Sequence, residues 1–251
     1  MVAQVVKIYN VFHEKVFKEL LEDVPKDDRS SITLYGVNDK IKKDITDVVD
    51  MGFNILMESS LPIFDAMYQE ERFRETSCMI HIFQNSLHKH VNYIGFCQYD
   101  MKLGKDAIKT ISECKGLTIF HEQTCSVREA FQNYTGLQHV IDHYNAFFQT
   151  NIRLQEFLSC SIPFPLVNTF AMPSNMFGKM MTWVCNYIPT TMAPHPYPFN
   201  HSRGEVFERI HGLFIVLETI QSLEPIPYVR MDVHHMWPHY HNMCPFEGYK
   251  C

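Results

Sequence analysis

Three places in this 251-residue chain carry residue types that could do chemistry. Asp100 closes the run Val91-Asn-Tyr-Ile-Gly-Phe-Cys-Gln-Tyr-Asp100, whose apolar residues at Val91, Tyr93, Ile94, Phe96 and Cys97 read as a buried strand. The C-terminal edge of an open α/β sheet is where such folds keep their ligands. Glu208 and Arg209 lie on a stretch whose Phe207, Leu213 and Phe214 would face a core, so the Glu208 carboxylate is placed to enter a cleft. The third place is the tail His234-His-Met-Trp-Pro-His-Tyr-His241, with four imidazoles in eight residues. A hard divalent ion favours carboxylate oxygen, and one imidazole together with a diphosphate could complete its shell. Each has a plainer alternative. A strand-end aspartate caps a following turn, a histidine packs at the surface, and Glu208 pairs with Arg209 or Arg203.

The elements that would position these groups alternate between strand and helix. Val5 to Phe12 reads as a strand, and His13 to Leu21 as a helix with residues 16, 17, 20 and 21 on one face. Ile32 to Val37 and Gly52 to Met57 read as further strands, with a solvated Lys40–Lys43 segment between them. Pro62 to Lys89 is expected to be a long helix, broken near Arg72 to Arg74, that leads into the Asp100 strand. Leu117 to Phe120 is a strand, Tyr144 to Leu158 a helix, Leu166 to Met172 a strand and Ser174 to Tyr187 a helix. Ile188 to Phe199 holds four prolines and is expected to be irregular, a lid, binding loop or rigid connector. Ser202 opens the last helix, with Glu205 three residues on in a capping box, which gives Glu205 a structural task and leaves Glu208 without one. That helix runs to about Ser222, and Ile226 to Val233 closes the sheet. The alternation predicts an α/β sandwich with a mostly parallel central sheet flanked by helices.

Composition narrows the function classes. A hydrophobic content of 46% at this length supports one large domain. The net charge of -6, without clustered Lys and Arg, argues against nucleic acid as a partner. No apolar run reaches the length of a membrane span. Eight cysteines without a Cys-x-x-Cys pair, behind an N-terminus that reads straight into a strand, predict reduced thiols and a cytoplasmic setting; Cys244 and Cys251 could still bridge. Glycine-rich dinucleotide and P-loop signatures and the Gly-x-Ser-x-Gly elbow are all absent, and no particular Cys–His pair is marked as a nucleophile.

Four blocks, in order between about residues 70 and 215, resemble a family of GT-A-type glycosyltransferases found in bacterial polysaccharide clusters and in large DNA viruses of algae. Asn92-Tyr-Ile-Gly-Phe-Cys-Gln-Tyr-Asp100 is similar to the family's YIGLCHYRRYF. Arg74-Glu-Thr76 with Ile80 to Asn85 is similar to NELTGLYWVWKN, Asn168 to Met172 to NMFIM, and Arg203 to Gly212 to RVFGFLAERL. The resemblance implies a GT-A-like single domain over 1–251, with a nucleotide-sugar half to about residue 115 and an acceptor half from about 116 that includes the histidine tail. It implies transfer of a sugar from a nucleoside diphosphate sugar, a UDP-sugar in the first place, to a glycan or glycoprotein, inverting and assisted by manganese or magnesium. By the family's layout, Val11, Phe12, His13 and Asn38 would lie near the nucleoside, Glu75 and Thr76 near the sugar, and Gln98, Tyr99 and Asp100 at the metal motif. Where a GT-A enzyme usually carries Asp-x-Asp, this chain carries Gln98-Tyr-Asp100, so Asp100 would bind the ion with a tail histidine, His239 or His241 first and His234 or His235 next. Glu208 would be the base, with Asp65 and Asp232 in reserve. Two other readings stay open: a metal-dependent phosphoester hydrolase built on the tail, and an inactive nucleotide-sugar-binding protein.

Overall fold

A computed structural model describes residues 4–70, 73–120, 126–131, 136–160, 164–165, 168–192, 203–223, 226–231 and 234–235. Asp232, His239 and His241 lie outside these residues, as does Ser202 of the expected capping box.

Nine strands are present among the described residues: β1 (Val6–Phe12), β2 (Ile32–Gly36), β3 (Asn54–Met57), β4 (Tyr93–Gln98), β5 (Met101–Lys102), β6 (Leu117–Phe120), β7 (Phe170–Pro173), β8 (Tyr228–Met231) and β9 (His234–His235). Seven form one sheet in the order β3-β2-β1-β4-β7-β6-β8, and β5 pairs with β9 in a small ladder. The pairs from β3 to β4 are parallel, β7 runs antiparallel to both its neighbours, and β8 is parallel to β6. The mostly parallel sheet expected from the alternation is therefore present. Helices are α1 (Met67–Glu70), α2 (Glu75–Gln84), α3 (Ala107–Cys114), α4 (Val127–Ala130), α5 (Leu137–Phe148), α6 (Leu154–Leu158), α7 (Ser174–Met192) and α8 (Arg203–Gln221).

The two faces of the sheet bury different clusters because side chains alternate along each strand. Tyr9, Val11, Ile94, Phe96 and Phe170 face the larger core, which α2, α5, α7 and α8 complete with Trp183, Tyr144 and Phe214. Ile8, Phe12, Tyr93 and Cys97 face the smaller one, shared with Ala107 and Ile111 of α3. With both faces covered, β1, β2 and β4 are buried along almost their whole length and are mostly apolar.

Several expected helices differ. His13 to Leu21 forms only a 3-10 turn at Lys18–Leu20, because its backbone pairs elsewhere: Asp44 N–H donates to the Glu14 carbonyl (2.8 Å), and Lys15 bridges Asp44 in parallel. Val16, Phe17, Leu20 and Leu21 are nevertheless buried, so the spacing reported burial and not helix. The long helix over 62–89 is instead α1, α2 and a 3-10 turn at Leu87–His90, interrupted where Arg74 and Ser86 take positive φ (54° and 57°). The helix expected over 144–158 starts earlier, at Leu137, and stops at Phe148. Gln149 turns left-handed, and the Asn145 side chain takes up the Ile152 amide and carbonyl and the Thr150 hydroxyl before α6 begins. Residues 188–192, expected to be irregular, continue α7 through Pro189. The Thr190 and Thr191 hydroxyls donate back to the Tyr187 and Ile188 carbonyls there. Residues 193–200 lie outside the described residues. Cys78, Cys97, Cys114, Cys160 and Cys185 are free thiols. Among the described residues, no helix is long and apolar enough to cross a membrane.

Candidate functional site

The parallel strands β3, β2, β1 and β4 end side by side, and the residues that follow them carry the polar chemistry. Glu58 follows β3, Asn38 and Asp39 follow β2, His13 follows β1, and Gln98 to Asp100 end and follow β4. At the β3 corner, the Asp65 amide donates to His81 Nε2 (2.9 Å). That leaves the imidazole proton on Nδ1, where it is donated to Glu58 Oε1 (2.9 Å). Gln69 Nε2 donates to the other Glu58 oxygen (2.6 Å) and to Asp39 (3.1 Å). Glu58 and His81 are fully buried. This network was missed in the sequence because Glu58 and His81 lie 23 positions apart without a motif. Asp65, a reserve base, is exposed, and its carboxylate accepts the Met67 amide at the start of α1, a capping task.

A second group of charges gathers where the start of α2 meets the start of α8. Glu75 opens α2 and accepts from His13 Nε2 at 3.4 Å. Burial pushes the Glu75 carboxyl up, but the His13 hydrogen bond and charge, its backbone hydrogen bond and Arg74 together bring it below its ordinary value. Glu208, on α8, is 9% exposed. Burial first, and then the Glu75 charge, push its carboxyl up to about 8, against the opposing pull of Arg74 and Arg209. Two interacting carboxyls are thus driven apart, Glu75 below and Glu208 above the ordinary carboxylate value. Glu208 is therefore not in the surface ion pair that was its plain alternative.

Arg74 is the hinge of this group. Its φ of 54° and ψ of -127° are rare for a residue with a side chain, and such strain gathers at functional sites. Its guanidinium reaches Glu205 (3.7 Å). Gly204 makes this possible: a Cβ there would stand 2.7 Å from Arg74 Cδ. Glu205 thus faces Arg74, while the capping box expected of it involves Ser202, outside the described residues.

Asp100 sits beyond β4 and is 1% exposed. Its charge, after burial, helps to hold the Cys97 thiol up at about 12. The β5–β9 ladder follows at once, with Met101 opposite His235 and Lys102 opposite His234. The backbone of the histidine tail therefore returns to the residue next to Asp100. Among the described residues, no three of His, Cys, Asp and Glu converge as a metal cage. One carboxylate beside an incoming histidine strand fits a hard ion that takes further oxygens from a bound diphosphate and water. His13 links the two halves of the site, with Glu75 on one side and the Tyr99 ring edge-on at 6.4 Å on the other.

Of the other expected binding residues, Val11 and Phe12 are wholly buried in the cores and can offer a ligand only backbone. Thr76 is also fully buried, and its hydroxyl has no partner among the described residues. Asn38, at φ 63°, and Gln98 and Tyr99 are partly open at the edge.

No family model matches the chain, and no curated protein matches it in sequence. Solved structures do match in shape. The apo structure of WbbM, a bifunctional glycosyltransferase, superposes over 91% of this chain with a TM-score of 0.57 at 12% identity. The fold is GT-A-like. This chain spans 44% of the length of WbbM. Glucosyl-3-phosphoglycerate synthase from Mycobacterium tuberculosis, solved with manganese, UDP and glucosyl-3-phosphoglycerate, covers 93% of the chain at 8% identity and a TM-score of 0.46.

Proposed function

We propose that this chain is a glycosyltransferase that moves a sugar from a nucleoside diphosphate sugar, with UDP as the carrier, to a hydroxyl of a glycan or glycoprotein, with inversion. The observation that carries this reading is the split carboxylate pair, Glu75 and Glu208, tied through His13 to the Asp100 corner at the ligand edge of a GT-A-like sheet. The fold shared with a glycosyltransferase, and the ordered blocks in the sequence, support it.

Glu208 is the base in this reading. Its carboxylate takes the acceptor hydroxyl proton as the oxygen attacks the sugar, and its high proton affinity makes it a strong acceptor once ionised. Glu75 stays charged beside it, and the His13 bond fixes its position. Arg74 and Arg209 limit how far Glu208 is pushed up. Asp100, with a histidine from the tail (His234, His235, His239 or His241), would hold manganese or magnesium. When bound, the ion offsets charge on the departing diphosphate. Asp232, the reserve base, lies outside the described residues.

Incubation with a panel of nucleotide sugars, manganese and glycan acceptors should release nucleoside diphosphate. Asp100→Ala should weaken manganese-dependent UDP binding at least tenfold. Thermal shift by no nucleotide sugar, with or without manganese, would sink the proposal. Shift without turnover would instead identify an inactive nucleotide-sugar-binding protein, the reading that Gln98 in place of a first aspartate supports.

A further inference from the structure

Lys43 lies in a segment that reads from sequence as a solvated face, and Lys40 and Lys42 are indeed exposed. Lys43 turns inward. Its ammonium donates to the His13 and Val37 carbonyls and to the Asn38 carbonyl at 2.8 Å. An ammonium has three N–H donors, and here each has a backbone acceptor. The acceptors come from two separate strand ends. His13 follows β1, whereas Val37 and Asn38 follow β2.

The surrounding hydrogen bonds bring these ends together around the same atom. Val37 N–H donates to the Phe12 carbonyl (3.0 Å), which joins the strand ends directly. Ile41 N–H donates to the Asn38 carbonyl (3.1 Å), and Asp44 N–H to that of Glu14 (2.8 Å), so segment 38–44 folds back over β1 and delivers Lys43 from outside. Burial lowers the Lys43 ammonium below the ordinary lysine value, while Asp39, Glu58 and Glu14 act to keep it charged. Three carbonyls aimed at one point repel each other and cannot all be satisfied by one another, because a carbonyl only accepts. A cation at that point holds them.

We infer that the Lys43 ammonium is a built-in cation that fastens the ends of β1 and β2, and is thereby a positioning residue for the donor-binding edge. It fixes the backbone at His13, whose ring contacts Glu75 and Tyr99, and at Asn38, whose left-handed backbone leaves its carbonyl on the ammonium. The link to the donor rests on the function proposed above; the fastening does not.

Chemical replacement of the cation separates the two. Lys43→Ala leaves three carbonyls around an opening that a small cation can enter. Its melting temperature, read at constant ionic strength, should fall in choline chloride and recover at least half of the loss in ammonium or methylammonium chloride. Wild type should show no such preference. Lys43→Met keeps the stem without the charge, so it should lose stability and recover nothing, because its side chain fills the opening. Equal melting curves for Lys43→Ala in all salts would overturn the fastening. UDP affinity, read by calorimetry on the same samples, should drop at least tenfold in choline and recover with ammonium. Recovery of melting temperature without recovery of UDP affinity, where wild type binds UDP, would overturn the positioning role. Failure of wild type to bind UDP would count against the glycosyltransferase reading while leaving the salt-dependent melting result to decide the fastening.

Discussion

Glu208 makes the site testable by pH alone. Its carboxyl titrates at about 8 when folded and at an ordinary carboxylate value when unfolded. Below the unfolded value both states bind the proton and this group contributes fully to stability; between that value and 8 only the folded state keeps it, so stability falls as pH rises through the window. Glu208→Gln removes the titration while keeping the size. Urea unfolding from pH 5 to pH 9 should therefore show wild type losing about 2 kcal/mol or more relative to the Gln variant, since each tenfold difference in proton affinity between the two states is worth about 1.4 kcal/mol. Parallel curves would show that Glu208 does not titrate in this range. The same ionisation should govern turnover. As a base, Glu208 must be ionised, so kcat/KM should rise with pH and level off above about 8. Glu208→Gln should lower kcat about 100-fold or more on the plateau above about pH 8, the usual range for removing a general base, and the gap should close as pH falls and wild-type Glu208 is protonated. His13→Ala should shift the wild-type profile, because it removes the partner that keeps Glu75 charged beside Glu208.

Glu208 depends on how two elements meet. The start of α8 is held against the start of α2 by Phe73 on Phe207, with ring centroids 5.1 Å apart, and by Arg74 crossing the bare backbone of Gly204. Gly204→Ala places a methyl 2.7 Å from Arg74 Cδ and 2.9 Å from Cγ, so the arginine stem must move. The expected cost in stability is about 1–3 kcal/mol, as for other overpacked sites. The informative result is the pH profile. With Arg74 displaced, a charge that lowers the Glu208 carboxyl is weakened, so the rise in kcat/KM should move to higher pH. Lower activity at an unmoved profile would show that Arg74 does not tune Glu208. This meeting of elements also shows what the sequence made legible. Glu208 stood out because Phe207, Leu213 and Phe214 marked α8 as buried, and all three are. Glu75 and His13 entered only by resemblance, since the contact between them spans 62 positions. Arg74 read as the place where a helix breaks, and its backbone does break there, but nothing local revealed that its side chain would cross α8. The helix expected over His13 to Leu21 failed for the same reason: its apolar spacing was real, while the pairing of Lys15 with Asp44 that replaced helical bonds is a long-range choice.

At the scale of the whole chain, the sheet order decides which distant segments share the ligand edge. Because β8 is parallel to β6, the chain leaves β8 at the same edge where β4 delivers Asp100, and β9 then pairs with β5. The expectation that a tail histidine joins Asp100 rested on resemblance; the ladder places the backbone of His235 opposite Met101, one residue from Asp100. Ending the chain after Val233 tests whether this return serves the metal. The truncated chain keeps the seven-stranded sheet and both clusters that cover it, so its melting temperature should change by only a few degrees. It loses β9 and every tail imidazole. If the tail supplies a ligand beside Asp100, manganese should strengthen UDP binding in the full chain and do so at least tenfold less in the truncated one, while UDP affinity without metal stays within about twofold; a tenfold loss is about 1.4 kcal/mol, modest for one imidazole ligand. Equal manganese enhancement in both chains would leave Asp100 and the diphosphate as sufficient ligands. If the truncated chain does lose the enhancement, restoring His239 and His241 one at a time in a tail whose other histidines are alanine shows which imidazole carries it.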